Sequence, residues 1–378
     1  MTTTGATRSE MQPLTTEEMA TIRSKVEGIF QELQQSVDFN ASSNPPPSWI
    51  RPETDVDWIQ EQRTDHGRYF DTHGFLLVPS FCDSTEIQLL KDQMKHLANH
   101  DWDPNREMDT FGTDSKSNTA RGDYFLDSSN CVHYFAEPQA LDEQKKLRPE
   151  YEADKLAALN KAGHGMHIIP GAFQDYTRSS KVLKLIQDLG WQDPVVPQSM
   201  YIFKQPKIGG TVHSHQDSSF LYTTPRQTCL GMWLALDDAT LENGCLWVRP
   251  GSHREPLRRQ FVRNPEYFEK NDWSAPKLIF EYPNVNENPQ IPWEGALPDD
   301  QSLLNAGFVP VECKAGDLVT FAGLLDHLSL PNFSDMPRHT FQLHLVEGPK
   351  AGVTWSPKNW LQYAPGKPFM ALKQAQGG

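Results

Sequence analysis

The sequence of 378 residues is poor in cysteine, poor in base relative to acid, and without a long apolar run. Each shortage excludes something. No apolar stretch approaches the ~18 residues of a membrane span, so none is expected. The start, MTTTGATRSEMQPLTTEE, lacks a basic then apolar secretory signal. The end, KQAQGG, matches neither a peroxisomal SKL-type address nor a prenylation box. Cys82, Cys131, Cys229, Cys245 and Cys313 are odd in number and widely spaced, with no CxxC pair. That fits reduced, buried thiols better than a disulfide frame or a zinc knuckle. With the missing addresses, it makes the cytoplasm the default location. Lys and Arg number 35 against 49 Asp and Glu, a formal charge of −14. Such a balance disfavours nucleic acid, because phosphate contacts need clustered cations. The one dense basic stretch, Arg249 to Arg263 with five Arg, reads as a solvated loop or a local seat for an anion.

What is present is proline, 29 residues against an average of about 5%. It indicates short elements joined by many loops. Residues 17–37 carry Met19, Ile22, Val26, Ile29, Phe30, Leu33 and Val37 at spacings of three and four, which predicts an amphipathic helix capped by Thr15 or Thr16. Pro45, Pro46 and Pro47 follow and forbid a helix. Residues 1–65 are therefore expected to be an extension with a stiff linker, lying on the main domain or tethered to it.

The main domain, 66–368, opens with the strand GFLLVPSF from Gly74, then a capping box at Asp83–Glu86 starting a helix to about Leu97. A polar, irregular region spans 100–162. Helices are expected at 150–161, stopped by Gly163, and at 179–189, ended by Gly190. From Gln198 onward, short β-rich runs alternate with Gly, Pro and Asn turns, which indicates a sandwich or barrel. Residues 254–305 interrupt that pattern and read as a long insertion of the kind that forms a lid. Residues 369–378 form a tail.

The chemistry concentrates in His213-Ser214-His215-Gln216-Asp217. On a strand, alternate side chains share a face, so His215 and Asp217 would sit together. An imidazole and a carboxylate side by side are two members of a 2-His-1-carboxylate triad, which leaves three positions of an octahedral ion open and suits non-haem Fe(II) oxygenases. His213 shares the face and competes with His215. The distant third ligand is His327, 110 residues after Asp217, at the end of a β-rich run. Arg338 follows eleven residues later, and a guanidinium fork suits the far carboxylate of a 2-oxo diacid. Ser329 would share the face of His327 and add a hydroxyl. Met200 and Trp233 lie in apolar strand runs where core is the default. His253 reads as structural; His164 and His167 read as loop residues, with the border of a substrate pocket as the alternative. His339 and His344 fall on opposite faces of one strand, one core-facing and one solvated.

From about residue 68 to 365 the chain resembles the phytanoyl-CoA dioxygenase family of Fe(II)- and 2-oxoglutarate-dependent oxygenases. The matching segments include GDYFLDSS, VVPQSMYIFKQP, GGTVHSHQDSSFLY, LDDATLENGCLWVRPGSH and VTWSPKNWLQ. The resemblance implies a mainly β protein with flanking helices and a double-stranded β-helix (jelly-roll, cupin-like) core. It implies iron on His215, Asp217 and His327, and 2-oxoglutarate held by Arg338 and Ser329 with Met200 and Trp233 lining its pocket. O2 is then the second cosubstrate, ascorbate a helper in vitro, and the outcome hydroxylation of a small organic or lipid-like substrate with release of succinate and CO2. One departure stands out: Cys131 occupies the place of a lysine expected to help neutralise the cosubstrate. It leaves open a non-catalytic module that binds metal and 2-oxoglutarate for sensing or interaction. A zinc hydrolase on the same three ligands is disfavoured by Arg338, since a hydrolytic water needs no diacid anchor.

Overall fold

The structure, a computed structural model, describes residues 13–37, 64–103, 109–110, 112–283 and 298–372. The Pro45–Pro47 linker lies outside them. The N-terminal helix is Thr16–Ser36, closed at its start by a reciprocal cap between Thr15 and Glu18. It is docked, not loose. Met19 and Ile22 are buried in one apolar cluster with Leu246, Val309 and Val311, and Arg23 makes two hydrogen bonds to Glu312.

A second helix, Asp65–His73, was not expected from the sequence. Thr64 caps its start and Gly74 ends it in the left-handed region at φ 81°. A side chain at Gly74 would also strike His253 Nδ1 at 2.3 Å, so that position demands glycine twice over. The strand Phe75–Val78 and the helix Ser84–Asp101, capped by Asp83 and Glu86, follow as read. The helix expected at 150–161 does not form. Two 3-10 turns, Pro149–Tyr151 and Lys155–Ala158, lead into the strand Leu159–His164, and Gly163 lies within it. The segment is buried on both faces, so the polar and glycine signals at its ends misled the periodicity reading. The helix Ser180–Asp188 forms as expected, with Gly190 at φ 95° behind it.

The remaining chain shuttles between two sheets. It runs Pro194–Ile202, Val212–His215, Leu230–Ala235, Leu246–Val248, Val309–Val311, Leu318–Ala322, His327–Ser329 and Thr340–Glu347. The first, third, sixth and eighth of these strands belong to a nine-stranded sheet, the others to a four-stranded sheet. Eight strands crossing in this way build the double-stranded β-helix. The fourth and fifth strands stay in one sheet and pair directly, Val248 opposite Val309. The chain between them carries the hairpin of Gln260–Arg263 with Leu278–Glu281.

Alternation along the larger sheet divides its residues. Tyr201, Phe341, Leu343 and Met232 join the cluster under the outer helices, where Phe173 stacks 4.8 Å from Phe341. Met200, Gln342 and Trp233 occupy neighbouring positions on three adjacent strands and face the interior between the sheets. Among the described residues, no helix is long and apolar enough to cross a membrane.

Candidate metal centre and cavity

His215 ends one strand of the smaller sheet and His327 begins its neighbour, and the two are direct partners in the ladder. Strand pairing therefore closes the 112-residue gap between them. Asp217 is not on the strand, contrary to the alternation expected. The strand stops at His215, and Asp217 opens a 3-10 turn over Asp217–Ser219. The turn brings its Oδ1 to 3.3 Å from His215 Nε2 and 3.6 Å from His327 Nε2. One ligand atom from each of the three residues lies within 4.8 Å of the others.

Both imidazoles are fixed in the same way. Nδ1 of His215 donates to the His213 carbonyl at 2.8 Å, and Nδ1 of His327 to the Leu325 carbonyl at 3.0 Å. Each ring is thereby held in the tautomer that leaves the Nε2 lone pair toward the centre. Burial and the neighbouring His215 push His327 down to about 4, so it is neutral and able to ligate. Burial alone would raise the Asp217 carboxyl. The His344 and His327 imidazoles, with the hydrogen bond from His344, outweigh it and hold Asp217 well below the usual carboxylate range. Two nitrogens and one carboxylate oxygen on one side of a shared point form the donor set of a facial triad. His213 contributes its backbone to this arrangement, and its imidazole is outside the triad.

The triad opens into a cavity that Met200, Trp233, Ser329 and Arg338 also line, so the residues singled out in the sequence meet in one place. Arg338 is 2% exposed, its guanidinium carbon lies 5.1 Å from the Trp233 ring, and its Nε and Nη1 have no protein partner. Burial lowers it to about 10, which still leaves a cation at neutral pH. Ser329 lines the cavity, but its hydroxyl donates to the Gly244 carbonyl at 2.8 Å.

Lining residues missed in the sequence include Lys161 and His344, and His164 is read there as a loop residue. Lys161 and His164 come from the strand misread as a helix, with Lys161 Nζ 2.9 Å from His164 Nε2, both fully buried. The loop reading of His164 is thus corrected. His344, expected only to be core-facing or solvated, is buried and bonds Asp217 Oδ2 at 3.0 Å. Cys131 points elsewhere: its thiol donates to the Asp127 carbonyl at 3.1 Å and it is absent from the lining. The cavity's lysine is Lys161, which burial holds well below the usual lysine range.

Apart from Arg254, which is exposed and donates to the Asp71 carbonyl, the arginines of the basic stretch are engaged by protein. Arg258 makes two hydrogen bonds to Asp326, at 2.7 and 2.8 Å, and Arg249 reaches the same carboxylate at 3.2 Å. Arg259 lies over the Phe280 ring at 4.0 Å, and Arg263 donates to the Trp360 carbonyl.

Comparison with known proteins agrees with the site. Residues 70–340 match the family model for phytanoyl-CoA dioxygenase. A phytanoyl-CoA dioxygenase of Arabidopsis thaliana is 38% identical over 296 residues, covering 78% of this chain and 92% of that protein. The chain belongs to the phytanoyl-CoA dioxygenase family. It is accordingly an enzyme of the iron- and 2-oxoglutarate-dependent dioxygenase class. Another family member, the bovine (Bos taurus) phytanoyl-CoA dioxygenase domain-containing protein 1, is 37% identical over 306 residues, 80% of this chain and 96% of that one. Among solved structures, the α-ketoglutarate-dependent carbocyclase SnoK from nogalamycin biosynthesis aligns with a TM-score of 0.48 at 18% identity, covering 82% of this chain and 96% of that one.

Proposed function

We propose that this dioxygenase hydroxylates a C–H bond of a small organic or lipid-like substrate, with 2-oxoglutarate converted to succinate and CO2. The observation that carries the reading is Arg338. A buried guanidinium with two unpartnered nitrogens is costly unless an anion meets it. In a cavity shared with a facial triad, the far carboxylate of 2-oxoglutarate fits that need.

The residues divide the work. His215, Asp217 and His327 would hold the iron, which supplies O2 activation when bound. Arg338 would anchor the diacid, with Trp233 beneath its guanidinium and Met200 beside the floor. Lys161 and Arg121 add further basic groups to the wall. Ser329 can take part only by turning its hydroxyl away from Gly244. Phe125, Phe220, Leu221 and Trp360 give part of the cavity an apolar wall, which suits an organic substrate, beside the polar Thr113 and Asn118.

The test is succinate formation from 2-oxoglutarate with Fe(II), ascorbate and O2, followed by a substrate panel. Wild type should form succinate, and His215→Ala and Arg338→Ala should not. Tight 2-oxoglutarate binding without turnover across a broad panel would replace this reading with a binding module.

A further inference from the structure

The two oxygens of Asp217 are treated differently. Oδ1 faces both ligating imidazoles, while Oδ2 receives His344 Nε2 at 3.0 Å. Behind His344, the Gln198 amide lies 3.4 Å from its Nδ1. An amide N–H can only donate, so Nδ1 must accept, and the ring proton is placed on Nε2, toward Asp217. Gln198 and His344 are direct partners across the larger sheet, and both line the cavity. All three members are buried, His344 and Gln198 to 4% and 6% exposure and Asp217 to 7%.

We infer that His344 is a positioning residue that keeps Asp217 a one-oxygen ligand, with Gln198 setting its tautomer. The inference rests on the iron reading above. An octahedral ion with three protein ligands has three open positions, and a keto acid chelating through two oxygens plus O2 needs all of them. A carboxylate free at both oxygens can chelate and remove one. The donor on Oδ2 makes that swing unfavourable, since it would strip a buried imidazole N–H of its acceptor. The larger sheet thereby controls a ligand carried by the smaller one.

The experiment uses the full chain loaded with Co(II), a redox-silent substitute. Its readouts are Co(II) affinity, the visible spectrum of the bound Co(II), and 2-oxoglutarate affinity of the loaded protein. His344→Leu should lower 2-oxoglutarate affinity of the loaded protein about tenfold, the worth of one buried hydrogen bond, and alter the spectrum, while Co(II) affinity changes less. His344→Gln returns an N–H near the Nε2 position and should restore both. Gln198→Leu, which leaves Asp217 and His344 untouched, should show a smaller loss of the same kind. Unchanged 2-oxoglutarate affinity and spectrum in His344→Leu, or equal loss in the Leu and Gln variants, would overturn the role. Failure of wild type itself to bind Co(II) and 2-oxoglutarate would instead sink the iron reading.

Discussion

Two buried charges in this molecule invite comparison, Asp326 behind the triad and Arg338 in front of it. Asp326 is fully answered by protein: Arg258 grips it with two hydrogen bonds, Arg249 approaches, and Ser214 donates at 2.6 Å. Asp326 and Ser214 are the neighbours of His327 and His215, so this carboxylate staples together the two strands that carry the imidazoles. Arg338 is equally buried, yet two of its nitrogens meet no protein atom. A charge that the fold satisfies is part of the frame. A charge that the fold leaves open is addressed to something that arrives later.

That contrast can be broken from either side. The largest effect is expected from Arg258→Ala, which leaves Asp326 half-answered and should cost about 3–5 kcal/mol in denaturant unfolding. Next, 2-oxoglutarate at about 100 times its Kd should stabilise the metal-loaded wild type by about 2.7 kcal/mol, and Arg338→Met should abolish the gain, measured as a shift in thermal unfolding. Asp300 supplies a third case, a buried acid in the seat of the N-terminal helix. Burial, with Asp299 and Glu18 nearby, raises it to about 6 from 3.8. Its folded value lies above its unfolded one, so stability is greatest below about pH 4 and falls as pH rises toward 6. Asp300→Asn should therefore stabilise by up to about 3 kcal/mol at pH 7.5 and by almost nothing at pH 4, read from unfolding curves at both. The smallest effect concerns Arg338→Met without ligand. Removing an unanswered cation should stabilise the ligand-free protein by about 1 kcal/mol. A loss of several kcal/mol there would mean that Arg338 belongs to the frame after all.

The site was legible where its geometry is local or set by pairing. His215 and Asp217 lie two residues apart, and His327 joins them because its strand pairs with that of His215. Arg338 was legible through its distance from His327 and the chemistry of its fork. Lys161, His164 and His344 were not, because their roles depend on which face a buried strand presents. Parity separates His339 from His344, but it cannot say which of the two meets Asp217. Asp217 itself was read for the wrong reason, since a turn and not strand alternation turns it inward. In the fold, alternation and turn signals pointed to a sandwich or barrel, and the double-stranded β-helix followed from the family resemblance. The two-sided burial of Leu159–His164 erased alternation there, and a helix was read in its place.

Val248 and Val309 stand opposite each other in the ladder, so the chain that leaves after one comes back beside its own exit. Lengthening such a detour is cheap, about 0.6 kcal/mol per doubling of a flexible loop. Its root is tied by Arg258 to Asp326, its hairpin by buried Phe261 and Leu278 and by Arg263 on the Trp360 carbonyl, and its return by buried Leu303 and Phe308. Added length between such anchors would change what the detour touches and leave the barrel and its three ligands in place.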